Sequence, residues 1–224
     1  MSKIIKNIKK IKKEILYLSQ KYKKKFPKIK LLIVTKKQKI KTLKTLIKNK
    51  YLSFGENYLQ ESLKKIKKLK KKKIKWHFIG KIQSNKTKII ARKFSWCHTI
   101  DRKKIAFLLN KYRTNKIPPL KVLIQINISN EKTKNGTSIK SLFKLAKYIK
   151  NLKNLKLKGI MALPNIRRSF LKKDEYQEIK NSFKKMKKKY KNIDTLSLGT
   201  SQDFKKSILS GSTLIRIGKK IFSE

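Results

Sequence analysis

The stretch WHFIGKIQSNKTKII, from Trp76 to Ile90, reads as an apolar strand ending in glycine, a polar turn, and the start of a helix. The same unit recurs along the chain. Upstream, LLIVT (31–35) is a short, wholly apolar run suited to a buried parallel strand. A helix through Leu43 and Ile47 follows it. Tyr51–Phe54 is the second strand, and a helix from Tyr58 to about Leu69 leads into the third, Ile74–Ile79. Downstream, Trp96–Ile100, Leu120–Asn127, Leu155–Ala162, Ile193–Leu198 and Thr213–Ile217 read as strands four to eight. The helical segments between them begin after Ser84, at Asp101 (a candidate N-cap), at Ser138, at Asp174 and at Gln202. A further helix, Ile4 to about Lys24, precedes the first strand, with Ile4, Ile8, Ile11, Ile15 and Leu18 at helical spacing.

Strict alternation of strand and helix implies a parallel sheet covered by helices. Eight repeats select a closed (β/α)8 TIM-type barrel over an open doubly wound sheet. No Pro/Gly/Ser-rich linker divides the chain, so residues 1–224 are expected to form a single α/β barrel domain. The long irregular loops are Ser129–Thr137 and Pro164–Lys172. Gly55, Gly80, Gly199 and Gly218 each fall at the carboxyl end of an expected strand, the face on which this architecture builds its sites.

Composition bounds the function classes. Lys and Arg total 65 against 11 Asp plus Glu, a formal net charge of +54. Charge alone suggests a nucleic-acid binder. Yet the excess is lysine on every helix, without the clustered arginines and aromatics that nucleic-acid readers use. A general compositional bias, such as an A+T-rich genome imposes, fits better than a binding patch. The lone Cys97 precludes an internal disulfide and fits a reducing compartment. No apolar run approaches the ~20 residues needed to span a bilayer, and no secretory signal opens the chain, so a cytoplasmic protein is expected. No Cys/His cluster has metal-ligand spacing, and neither GxGxxG nor GxxxxGK[ST] occurs.

Position singles out several residues. Lys36 follows LLIVT, which places it at the mouth of the barrel, partly desolvated and suited to Schiff-base chemistry. Spacing alone does not separate it from Lys37. Leu198-Gly-Thr-Ser201 after strand seven and Arg216-Ile-Gly218-Lys219 after strand eight bring amides and hydroxyls to the place where barrels hold phosphate; a plain N-cap turn is the alternative. Arg216 sits inside the apolar run TLIRIG and needs a partner, either a ligand or one of the few acids. Asn57 lies just past strand two. His77 and His98 lie on strands three and four, where a histidine is more often a packing residue than a working one.

Beyond WHFIGKIQSNKTKII, the blocks LLIVTK, FGENYLQE, CHTIDR, VLIQINIS, GIMALP, IDTLSLGTS and GSTLIRIGKKIF occur in order over nearly the whole chain. Together they resemble the YggS/PROSC family, the pyridoxal phosphate (PLP) homeostasis proteins. The resemblance implies a fold-type III barrel, like the N-terminal domain of alanine racemase, holding PLP as a reversible Schiff base. It implies that the VTK lysine, Lys36, carries the cofactor and that Ser201, Gly218 and residue 219 hold its phosphate. Position 219 is Lys where the family has a typical Thr, so a hydroxyl contact is lost while the backbone amide survives. It further implies that Arg216 faces the pyridine nitrogen and that Asn57 and His77 lie near the ring. The expected role is storage of PLP and its supply to PLP-dependent apoenzymes, by a monomer, without robust enzymatic activity. An amino-acid racemase of the same barrel type is the rival. The sequence ends at Glu224, directly after strand eight, which leaves the racemases' β-rich second domain and tyrosine base without a counterpart.

Overall fold

The computed structural model describes residues 2–21, 29–70, 72–129, 135–165 and 174–223. Eight strands occur in chain order: β1 Lys30–Val34, β2 Ser53–Glu56, β3 Lys75–Phe78, β4 Trp96–Ile100, β5 Leu120–Ile126, β6 Leu155–Ala162, β7 Thr195–Ser197 and β8 Leu214–Ile217. Each pairs in parallel with the next, and β8 pairs with β1, closing the barrel. Helix α1 (Lys3–Lys21) precedes β1. The others are α2 (Ile40–Lys48), α3 (Leu59–Lys68), α4 (Thr87–Lys93, entered through a 3-10 turn at Ser84–Lys86), α5 (Lys103–Tyr112), α6 (Ile139–Lys150), α7 (Glu175–Lys189), α8 (Phe204–Leu209) and α9 (Lys219–Phe222).

Alternation along the strands sorts side chains into two regions. Outward residues such as Phe54, Val122, Ile124 and Ile215 join the inner faces of the helices (Leu43, Ile90, Ile105, Leu142, Ile179) in one continuous buried core. Trp96, Leu123 and Met161 form a separate apolar cluster within the barrel lumen. Helix α1 buries Ile5, Ile8, Ile11 and Ile15 at helical spacing and leaves most of its lysines in solvent. It is fixed beside α8 and α9: Asn7 Nδ2 donates to the Ile221 carbonyl at 3.1 Å, and Glu14 pairs with Lys205 and Lys220.

Several sequence expectations shift. Asp101 does not cap α5: the N-cap position is Arg102, without a side-chain cap, and Asp101 instead accepts from the Arg102 guanidinium at 2.8 Å. Strand β2 starts at Ser53 rather than Tyr51 and runs through Gly55 to Glu56. A carboxylate at a buried strand end argues against such an extension, but Glu56 finds a cation there. Strand β7 is shorter than expected, and α9 adds a single turn beyond the last expected strand. Most of the two long loops, 130–134 and 166–173, falls outside the described residues.

Candidate functional site

The carboxyl ends of the strands surround a cavity of about 310 Å3. Lys36, Asn57, Ser201, Arg216, Gly218 and Lys219 line it, with Val34, Ile79 and Met161 supplying apolar wall. Residues from four separate stretches of sequence thus meet at one place. Lys37 is not among the lining residues, so the turn after β1 separates two lysines that spacing left equivalent.

That turn is held from beneath. Lys65 of α3, almost fully buried, donates to the Thr35 carbonyl at 2.6 Å, to Glu56 Oε1 at 2.8 Å and to Glu61 Oε1 at 2.5 Å. Thr35 Oγ1 donates to Glu56 Oε1 at 2.5 Å, and the Lys37 amide donates to Glu61 Oε1 at 2.6 Å. Lys37 adopts a left-handed conformation, φ 62°. Burial pushes the Glu56 carboxyl upward, while the hydrogen bonds from Lys65 and Thr35 pull it back. The buried carboxylate and ammonium therefore need each other. Lys36 itself is exposed, which corrects the expectation of a partly desolvated amine, and it has no hydrogen bond or ion pair among the described residues.

The loop after β7 is organised by a residue that sequence reading missed. Asp203 Oδ1 accepts from the Thr200 amide at 2.8 Å and from Thr200 Oγ1 at 2.7 Å. Its Oδ2 accepts from Tyr176 at 2.9 Å and Ser207 at 3.0 Å. Burial, then the Asp203 charge, raises the Tyr176 phenol, so it stays a donor. Gly199 has φ 103°, and a Cβ there would lie 2.8 Å from Ser207 Cβ, so glycine is required. The Thr-x-x-Asp spacing at 200–203 was the available signal for this turn. The Lys220 amide donates to Ser201 Oγ at 3.1 Å, tying the β7 loop to α9.

Arg216 is buried and has no carboxylate partner among the described residues. Its NH1 donates to Ser197 Oγ at 2.6 Å and its NH2 to the Ala162 carbonyl at 3.0 Å. Burial lowers the guanidinium to about 10, and Asp203 offsets part of that, so it remains a cation at neutral pH. Among the described residues, no acid therefore answers the salt-bridge alternative raised by the sequence. Ser197 Oγ lies 3.2 Å from His98 Nδ1, and His98 Nε2 lies 3.0 Å from His77 Nδ1. The line of polar groups runs down the lumen, away from the cavity. His77 ends it, stacked on Trp96 at 5.3 Å between centroids, and lines a different cavity at the amino ends of the strands. Of the residues expected near the ring, the structure brings Asn57 to the upper cavity and His77 to the lower one. Asn57 Oδ1 is enclosed with no hydrogen-bond partner among the described residues. The Asn57 backbone packs on Gly80, where a Cβ would sit 2.0 Å from the Asn57 carbonyl. Cys97 is buried in the outer core, its thiol pushed up to about 12 by burial, and so inert.

Residues 7–223 match the family described as alanine racemase, N-terminal domain. A pyridoxal phosphate homeostasis protein of Buchnera aphidicola (from Schizaphis graminum) is 53% identical over 99% of this chain and 98% of its own length. One from Escherichia coli K12 is 42% identical over 87% of this chain and 85% of its own. Among solved structures, PipY of Synechococcus elongatus with PLP bound superposes with a TM-score of 0.78 at 22% identity, covering 94% of this chain and 99% of that one. An alanine racemase of Clostridium difficile in complex with cycloserine reaches 0.71 at 12% identity, over 94% of this chain and 58% of its own.

Proposed function

The chain belongs to the pyridoxal phosphate homeostasis proteins, and on that premise we propose that it binds PLP reversibly at the carboxyl-end mouth of the barrel, anchored by Lys36. The observation that carries this reading is the meeting of Lys36, Asn57, Ser201, Arg216, Gly218 and Lys219 around one cavity. The residues fit the group. The enclosed Asn57 Oδ1 lacks a donor, Arg216 offers a cation that no described carboxylate pairs with, and the volume lies at the small end of cofactor pockets. PLP supplies an aldehyde that condenses reversibly with a lysine amine.

The chain's own residues divide the remaining work. The Glu56–Lys65–Glu61 cluster fixes the turn that aims Lys36. Ser201 and the backbone at Gly218 and Lys219 would hold the phosphate, and Lys219 would add charge in place of a hydroxyl. Arg216 would meet the pyridine ring as a cation, oppose protonation of its nitrogen and so weaken the electron sink that α-carbon chemistry needs. The 1–224 barrel thus acts as one cytoplasmic, monomeric carrier, not a robust enzyme, that stores PLP and supplies it to PLP-dependent apoenzymes. This reading includes neither a specific nucleic acid nor a membrane as a partner.

The test is the absorption spectrum of PLP-loaded protein before and after borohydride, followed by peptide mapping. The pyridoxyl group is expected on Lys36. A label on Lys37, or spread over many lysines, removes the reading. Incubation of loaded protein with L-alanine in deuterium oxide separates carrier from racemase: α-deuteration at enzyme-like rates would restore the latter.

A further inference from the structure

The amino ends of the strands enclose a second cavity, of about 490 Å3, larger than the first. Lys30, Lys75 and Lys121 line it together with Thr195. In strand register Lys30 precedes Leu32, Lys75 precedes His77 and Lys121 precedes Leu123 by two residues, so all three share the lumen-facing row of β1, β3 and β5. They form the lowest layer of the barrel, built by the odd-numbered strands. Lys12 and Lys50 stand at its rim. Among the described residues no carboxylate lines the cavity. Asp194, next to Thr195 in the chain, is already ion-paired with Lys158 and accepts from Thr195 Oγ1. The crowding is felt: burial and then Lys75, Lys158, Lys156 and Lys30 lower the Lys121 ammonium.

A lysine-rich chain places lysines everywhere, so their number decides little. The independent observation is at the floor. His77 is 4% exposed and lines the cavity. Its Nδ1 is engaged by His98, and its Nε2 has no hydrogen-bond partner among the described residues. The polar line through the lumen favours the arrangement in which each of its groups is paired. Arg216 donates to Ser197 Oγ, so the Ser197 hydroxyl must send its own proton elsewhere, and its other contact is His98 Nδ1. Sending that hydrogen to His98 Nδ1 pairs every group in the line, and in this arrangement His98 carries its hydrogen on Nε2 and donates to His77 Nδ1. In that arrangement neutral His77 keeps an N–H on Nε2 at the floor of the cavity, with no hydrogen-bond partner among the described residues, beneath three lysines.

We propose that the amino-end mouth of the barrel is a binding site for a small di- or polyphosphate anion, held by Lys30, Lys75 and Lys121 and by the His77 Nε2–H. A single phosphate leaves part of this charge and volume unused, which is why the class is placed at two phosphates or more. The site is separate from the Lys36 cavity and does not depend on what that cavity holds.

The test uses inorganic pyrophosphate as the probe, at 0.15 M salt, where exposed charges are screened beyond about 8 Å. The chain has two histidines, so the imidazole resonances of the full-length protein report on the floor of the site directly. Saturable binding of one pyrophosphate, with a shift of the His77 Nε2–H signal, is expected. Lys75→Gln and Lys121→Gln, at exposed strand ends, should each weaken it by about tenfold, the scale of one charge-assisted contact. The double variant Lys41→Gln/Lys104→Gln removes two charges from the first turns of α2 and α5 and should leave the affinity unchanged. An unmoved His77 signal, weakening by the Lys41/Lys104 variant as large as that by either cavity variant, or binding of many pyrophosphates would overturn the proposal in favour of diffuse attraction to a cationic surface. Inorganic phosphate binding as tightly as pyrophosphate would overturn the assigned ligand class.

Discussion

The barrel has two interiors, and they are built on opposite principles. Between strands and helices the core is continuous and apolar, from Ile8 through Phe54 and Ile105 to Ile221. Inside the strands, apolar side chains including Leu32, Trp96, Leu123 and Met161 share the lumen with a line of polar groups, Arg216, Ser197, His98 and His77. A protein seeking only stability would fill the lumen with aliphatic side chains, since buried polar groups cost free energy unless each finds a partner. Here the outer core supplies the stability, and the lumen holds groups whose spare donors face a cavity at each end.

If that division is right, the largest loss comes from the outer core. Phe54 is fully buried and meets Trp76 at 5.7 Å between ring centroids. Phe54→Ala should cost about 4 kcal/mol in a urea titration, from lost burial and the cavity left behind. A loss below about 1 kcal/mol would show that the outer core is not where stability resides.

Slightly smaller is the effect at the border of the two regions. Lys65→Met leaves Glu56 buried beside Thr35 without its ammonium and should cost about 3 kcal/mol. Adding Glu56→Gln should recover part of it, because the stranded charge is gone. If the double variant is no more stable than the single one, the pair is not a compensated unit.

The lumen makes its own mark through pH. Burial, then Lys121, Lys75 and Lys30, hold His77 at about 3. Burial, then His77 and Arg216, hold His98 well below the usual 6.5. The unfolded chain takes up protons below 6.5 that the folded chain refuses. Stability is therefore level above pH 6.5 and falls as the pH drops from 6.5 toward about 3. At one unit below 6.5 each histidine withholds about 1.4 kcal/mol. Urea midpoints at pH 7.5 and 5.5 measure the pair, in a Glu56→Gln background because burial raises the Glu56 carboxyl toward this window. A flat profile would mean that the histidines accept protons without penalty and that the Ser197-to-His77 line is not a fixed network.

The same division explains what is legible in the sequence. The outer core writes itself as periodicity: LLIVT, the isoleucines of α1, and the strand–helix alternation all announce it, and the closed barrel results. Lys36, Asn57, Ser201, Arg216, Gly218 and Lys219 lie at or just past strand ends, which converge in a barrel, but position leaves Lys36 and Lys37 equivalent and the family resemblance is needed to choose. The lumen is harder to read. Alternation puts residues 75, 77 and 79 on one face, but only the pairing of His77 with Trp96 sets how deep His77 lies. Lys65 is hidden among dozens of lysines, although the Glu61–Lys65 spacing of four is a usable hint. Asp101 reads as a cap and is not one, because a cap needs backbone geometry as well as an acceptor, and Arg102 draws its carboxylate sideways.

The smallest effect on stability is expected where the effect on function is greatest. Lys36 is exposed and has no hydrogen bond or ion pair among the described residues, and its turn is held by Lys65, Glu56 and Glu61 through the backbone at Thr35 and Lys37. Lys36→Ala therefore removes nothing that supports the turn, and it relieves one charge in a chain of net +54. The urea midpoint should correspond to a change within about 0.5 kcal/mol. Borohydride should then fix no pyridoxyl group at the upper cavity. The Lys37→Ala variant is the control: its neighbours are the same, but its left-handed backbone resists a Cβ-bearing residue no more with Ala than with Lys, so it too should fold normally while retaining the label on Lys36. Should Lys36→Ala lose more than about 1 kcal/mol, the lysine supports the fold, and the separation between a stabilising outer core and a working lumen would not extend to the mouth.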